Sequence, residues 1–270
     1  MDTDIHTTSR ATRADRARQI AVVVGGLVAL VGAMAGSGVF GGTRVQDASD
    51  GALSATATVI APAGPAFAIW SVIYAGLIGY SVWQLLPRQA QRDRHRRTGW
   101  WILTSQLLNA AWILSVQAGP LWLSVIVIVA LLSVLALIFV RLQRIRSAGW
   151  QDAVVMDGTI GLYLGWVMVA TIANITAWLV ALGFNGFGWS EDAWGIIVLS
   201  AGTAVSVAVS IWSRGRLTPA VATAWGFAWI SVGRLTSEPP SAVVGVAAAI
   251  AAGVALAVAV IARLAGPPPR

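Results

Sequence analysis

Eight apolar stretches recur along the chain, at about 20–40, 66–86, 100–117, 120–140, 160–182, 193–212, 218–233 and 241–262. At about 1.5 Å of rise per residue, some twenty helical residues cross the ~30 Å hydrocarbon core of a bilayer. The pattern therefore predicts an all-α membrane protein of about eight transmembrane helices. The third and seventh stretches are the shortest, and Ala118-Gly119-Pro120 reads as a tight turn between two antiparallel helices. Only 11% of the 270 residues are charged and 57% are hydrophobic. A soluble domain carries about a quarter of its residues charged, so the surface of this chain suits lipid rather than water.

The cations set the orientation. All eighteen are arginine, and sixteen fall on one side: the N-terminus, the 87–99 loop, the 141–152 loop, the 213–217 turn and the C-terminal end. The other side holds Arg44 and Arg234 and collects Asp47, Asp50, Glu191, Asp192 and Glu238. Such an excess marks the cytoplasmic side, which predicts a multi-pass protein of the cell membrane with both termini in the cytoplasm. The same distribution argues against nucleic acid as a partner, because the arginines flank spans instead of forming one basic surface. The 87–99 loop, with five arginines, also suits anionic lipid. Cysteine is absent, which removes disulfides, thiolate nucleophiles and cysteine metal sites. Residues 1–19 read as a polar cytoplasmic leader. The first apolar stretch, with Ala33-Met34-Ala35, also resembles a cleavable secretory signal; its length and its glycines favour a retained span.

Polar and aromatic residues interrupt the lipid-facing pattern. Trp83, Trp100, Trp101, Trp150, Trp189, Trp194 and Trp212 lie near span ends, where an indole anchors at the interface. Trp70, Trp112, Trp166, Trp178, Trp225 and Trp229 lie deeper. Phe67, Trp70, Tyr74 and Ser81 form one helical stripe of the second span. Ser105, Asn109 and Trp112 form one in the third, with Gln106 beside it, and Tyr163, Trp166, Ala170 and Asn174 one in the fifth. An amide in hydrocarbon needs a partner, so Asn109 and Asn174 are expected to face the bundle. Two readings stand: interhelical hydrogen bonding, or an aromatic pocket with a few polar handles. Gly32 and Gly36, and likewise Gly161 and Gly165, stand four apart on faces that suit close helix packing, including that of a homodimer.

These stripes resemble the translocator-protein family, also called tryptophan-rich sensory proteins or peripheral benzodiazepine receptors. The resemblance rests on three segments in order: Pro62-Ala63-Gly64-Pro65-Ala66-Phe67-Ala68-Ile69-Trp70 with Tyr74, then Gln106-Leu107-Leu108-Asn109-Ala110-Ala111-Trp112, then Tyr163-Leu164-Gly165-Trp166 with Ala170 and Asn174. It covers residues 20–183 and implies a five-helix core. Residues 184–192 then form an outer loop, 193–262 add three spans without counterpart in that core, and 263–270 make a short tail. Pro65-Ala66 stands where the family usually has a tryptophan before Phe67, and Leu162 replaces a family proline. The resemblance implies a receptor or sensor binding a flat apolar ligand, such as a porphyrin or sterol, at Phe67, Trp70, Tyr74, Asn109, Trp112, Tyr163, Trp166, Ala170 and Asn174. No cofactor is expected beyond a tetrapyrrole as ligand. The alternative, prompted by the added spans, is a transporter of an apolar or amphipathic metabolite. No enzyme is expected: His6 and His95 read as solvated outside the membrane, Asp157 as interfacial, and no metal site is visible.

Overall fold

The computed structural model describes residues 11–36, 47–145 and 147–265, and among these there is no strand. Eight long helices carry the chain: α1 Arg13–Gly36, α2 Ile69–Leu85, α3 Asp93–Ala118, α4 Leu121–Arg144, α5 Trp150–Ala181, α6 Glu191–Trp212, α7 Leu217–Thr236 and α8 Ala242–Ala265. A 3-10 turn, Gly64–Ala68, leads into α2. Six helices are long and apolar enough to cross a membrane; α3 and α7 are long enough but less apolar. Both are sandwiched, α3 between α1 and α4 and α7 between α5 and α8. Their inward faces therefore meet protein and carry polar groups such as Ser105, Gln106, Asn109, Thr223 and Ser231. Their short apolar stretches in the sequence have this cause.

Local chemistry sets the ends. Thr12 and Asp15 cap α1 reciprocally: the Asp15 carboxylate accepts from the Thr12 amide at 3.1 Å and the Thr12 hydroxyl from the Asp15 amide at 3.2 Å. Helix α1 thus starts two turns earlier than its apolar stretch. Gly119, at φ 101°, makes the reversal between α3 and α4, a conformation that a side chain would strain. Ser190 caps α6 by accepting the Ala193 amide, with Glu191 and Asp192 in the first turn.

The glycines of α5 face α7. A Cβ at Gly161 would collide with Thr218, and one at Gly165 with the Pro219 carbonyl. The close-packing face expected at Gly161 and Gly165 is thus occupied within the chain, while Gly32 of α1 lies against Ala110 of α3. Apolar packing forms two clusters: one runs through α1–α5, and the other joins α7 and α8 to Leu199 of α6, Val169 of α5 and Val59 and Ile60 of the loop before α2.

The arginine-rich ends converge on one face, and several arginines hold helices together there. Arg94 of α3 bonds Asp152 at 2.9 Å and Asp157 at 2.7 Å, both on α5, and Arg216, at the start of α7, bonds Asp157 at 2.7 Å. Residues five apart on an α-helix point about 140° away from each other. Here Ala153–Gly158 is a π-helical turn, whose i→i+5 repeat stacks Asp152 and Asp157 on one side. Arg96 grips Asp15 of α1 through Nε at 2.8 Å and Nη2 at 2.7 Å, and Arg18 joins Asp15 at 3.2 Å. Gln84 of α2 donates to the Gln19 carbonyl of α1 at 2.9 Å, and a Cβ on Gly215, in the α6–α7 turn, would meet the backbone of Arg263 at the end of α8.

This corrects two expectations. Residues 93–99 are helix, not loop, and His95 is fully buried rather than solvated. Its Nε2 lies 3.2 Å from Gln89 Oε1 and its ring packs on Tyr80. Ahead of the apolar stretch of α3, burial pushes this imidazole down to about 4, so it is neutral at physiological pH.

Arg94 is 3% exposed, and its removal would leave the buried Asp152 without its ion pair and Asp157 with Arg216 alone. Breaking such a buried pair costs about 3–5 kcal/mol. Arg94→Leu should therefore lower the thermal midpoint in detergent sharply. Arg97→Leu, at an exposed position with no ion pair among the described residues, should stay within about 0.5 kcal/mol of the parent. Equal effects from the two would refute the structural role of the cluster.

Candidate functional site

The three stripes meet where α2, α3 and α5 face one another. Trp70 is the hub: it stacks on Tyr74 at 5.3 Å and meets Tyr163 at 5.8 Å and Trp166 at 6.3 Å edge to face. Phe67 reaches Trp166 at 5.7 Å, also edge to face. Such geometries each add about 0.5–1.5 kcal/mol beyond apolar burial.

The amides find partners across helices, as expected. Trp112 Nε1 donates to Asn174 Oδ1 at 2.8 Å, and Asn174 Nδ2 donates to Ser124 Oγ at 2.9 Å, which links α3, α5 and α4. Asn109 Nδ2 donates to the Tyr74 hydroxyl at 3.0 Å, tying α3 to α2. The Tyr163 hydroxyl donates to the Ser105 carbonyl at 3.2 Å.

The nine residues divide among three places. Phe67, Trp70, Trp112, Trp166, Ala170 and Asn174 line one cavity of about 40 Å³. Tyr74 and Asn109 lie beyond Trp70 and line a separate groove against α1. Tyr163 is wholly buried and lines neither of these, serving as the packing surface behind Trp70. The 40 Å³ cavity is close to the ~30 Å³ share of one water in the liquid and far below the ~300–1,000 Å³ of ordinary ligand pockets. Two buried polar atoms in its lining residues, Trp166 Nε1 and Thr58 Oγ1, have no hydrogen-bond partner among the described residues.

The loop before α2 roofs this cavity with Leu53, Thr58, Ala61 and Pro62, which the helical stripes could not reveal. Above it lies a more open space of about 560 Å³, sharing Ala52, Thr58 and Ala177 with the cavity. The roof is fastened at four points. Ser49 Oγ donates to the Val116 carbonyl at 2.7 Å. Arg234 Nη2 donates to the Ala55 carbonyl at 2.7 Å, the Ala63 amide donates to the Trp229 carbonyl at 3.1 Å, and Trp225 Nε1 donates to the Ala66 carbonyl at 2.8 Å. Three of the four come from α7. Trp225 thus reaches the backbone of Ala66, in the Pro65-Ala66 stretch that replaces the family's tryptophan.

Sequence reasoning missed Ser124 and Arg234. Arg234 did carry a signal, as an arginine at the end of an apolar stretch on the arginine-poor side. It is 1% exposed and also bonds the Pro239 and Glu238 carbonyls, at 2.7 and 3.0 Å.

Asn174→Leu should lower stability by about 1–2 kcal/mol, since it strands the Trp112 indole N–H and removes the bond to Ser124. Thermal unfolding in detergent checks this, and Thr176→Leu, a partly buried position on the same helix, serves as the control. An unchanged midpoint in Asn174→Leu would show that the network carries no stability.

A family model described as TSPO-like protein matches residues 19–261. No curated protein and no solved structure matches the chain. The match runs past residue 183 and takes in α6, α7 and most of α8, the helices that close the bundle and hold the roof. This multi-pass helical membrane protein therefore belongs to the TSPO-like protein family.

Proposed function

We propose that the chain is a membrane receptor or sensor that binds a flat apolar ligand, of the porphyrin or sterol kind, in the space walled by Phe67, Trp70, Trp112, Trp166, Ala170 and Asn174. The observation that carries this reading is the unspent donor of Trp166 in a cavity lined mostly by apolar and aromatic residues. A buried N–H without a partner costs about 1–3 kcal/mol, which an acceptor on a ligand would recover.

At about 40 Å³ the cavity admits no such ligand as it stands. Entry requires the 47–63 loop to lift and join the cavity to the 560 Å³ space above it. The loop has no long helix of its own; lifting it breaks its few hydrogen-bonded tethers and withdraws Val59 and Ile60 from the apolar cluster they share with α7 and α8.

The test is a titration of the detergent-purified protein with protoporphyrin, following tryptophan fluorescence. Saturable quenching is expected, with the midpoint shifted about tenfold or more in Trp166→Phe, the equivalent of about 1.4 kcal/mol. Non-saturable quenching, or an identical midpoint in the variant, would remove the proposed pocket.

We propose further that the arginine-rich face lies in the cytoplasm of a cell-membrane protein, on the strength of the sixteen-to-two arginine distribution. Since cysteine is absent, single cysteines can be placed cleanly. A cysteine at Arg88 should be shielded from an impermeant thiol reagent in intact cells and one at Phe187 labelled, and the opposite pattern would reverse the orientation.

A further inference from the structure

A second binding feature lies on the far side of Trp70, between α1 and α2 and floored by α3. It is a groove of about 220 Å³, more than five times the aromatic cavity. On α2 it runs from Tyr74 to Leu85, about 16 Å at helical rise. That length suits one extended aliphatic chain. Its rim residues Leu27, Ile78, Val82 and Leu85 are exposed, so the groove opens sideways to lipid.

Two atoms of its lining residues are unusual for such a place. Gln106 Oε1 and Asn109 Oδ1 are buried carbonyl acceptors with no hydrogen-bond partner among the described residues. Gln106 is 6% and Asn109 3% exposed. Gly26 of α1 leaves the room that Gln106 takes, since a Cβ there would stand 2.8 Å from Oε1. Asn109 spends its amide on the Tyr74 hydroxyl and keeps its carbonyl free. Two unsatisfied acceptors in hydrocarbon call for a donor. At the other end, three residues past Leu85, Arg88 is exposed and makes no ion pair among the described residues.

We infer that this groove is a lipid-accessible site for a long-chain fatty acid bearing a hydroxyl part-way along its chain. The carboxylate meets Arg88 at the arginine-rich face, the chain lies along α1 and α2, and the hydroxyl donates to Gln106 Oε1 or Asn109 Oδ1. A plain acyl chain would fill the groove and leave both acceptors unmet, so the hydroxyl is the specificity element. The site is independent of the aromatic cavity, from which the stacked Trp70–Tyr74 pair divides it.

The test is equilibrium binding of radiolabelled stearic acid and of its mid-chain hydroxy derivative to the full chain in detergent. The hydroxy acid should bind about two- to tenfold more tightly, the range of one net hydrogen bond. Gln106→Leu should narrow that preference while retaining stearate binding. Ile78→Trp, which fills the groove from an exposed position and spares the core, should weaken both acids, whereas Trp166→Phe should alter neither. Equal affinity for the two acids in the parent protein would overturn the hydroxyl recognition. Binding that survives Ile78→Trp, or that falls with Trp166→Phe, would overturn the groove as the site.

Discussion

Hydrocarbon offers no hydrogen bonds, so each polar side chain placed within the bilayer must be met by another part of the protein. That constraint organises the bundle. Trp112, Asn174 and Ser124 join three helices through two bonds, Asn109 and Tyr74 join two, and Tyr163 reaches back to Ser105. Each contact fixes the rotation of a helix about its own axis, which apolar packing alone leaves loosely defined. The constraint is unmet at several buried atoms, among them Tyr80, Trp83 and Gln84 of α2, and those of Gln106, Asn109 and Trp166 belong to residues that line a cavity or groove.

The charged face obeys the same rule at higher stakes. Arg94, buried between Asp152 and Asp157, would be a large liability if either end of the arrangement were absent. The π turn of α5 brings the two carboxylates to one side, so a local departure from α-helical geometry has a specific electrostatic reason. Together with the Asp15–Arg96 contact, it locks the starts of α1, α3, α5 and α7 into one layer. Arginines that mark topology in the sequence therefore also act as clasps between helices.

Helices α6–α8 do more than enlarge the membrane domain. Helix α7 occupies the glycine face of α5 and holds the roof of the aromatic cavity through Trp225, Trp229 and Arg234. The outer opening of the cavity is thereby coupled to helices outside the five-helix core suggested by the sequence resemblance. A change in α7 has a direct hydrogen-bonded route to the loop that any ligand from that side must pass.

The number of helices, the membrane environment, the even alternation of ends and the inward turn of Asn109 and Asn174 were legible in the sequence. They depend on local quantities: length of apolar runs, placement of arginine, and the penalty on a lone amide in lipid. That Phe67 shares a face with Trp70, and Trp166 one with Ala170 and Asn174, followed from helical spacing, while their meeting was only what the family resemblance implied. Other features needed the tertiary structure. The split of the nine residues among a cavity, a groove and a packing surface depends on which sides of Trp70 the neighbouring helices cover. The burial of Arg94 and His95 depends on partners more than fifty residues away for the one and on the packing of α2 for the other. The roof rests on contacts between the loop before α2 and a helix more than a hundred and fifty residues later, as Trp225 and Ala66 show. Sequence reports what each segment must avoid exposing to lipid, and only the packed chain decides which segment meets that need.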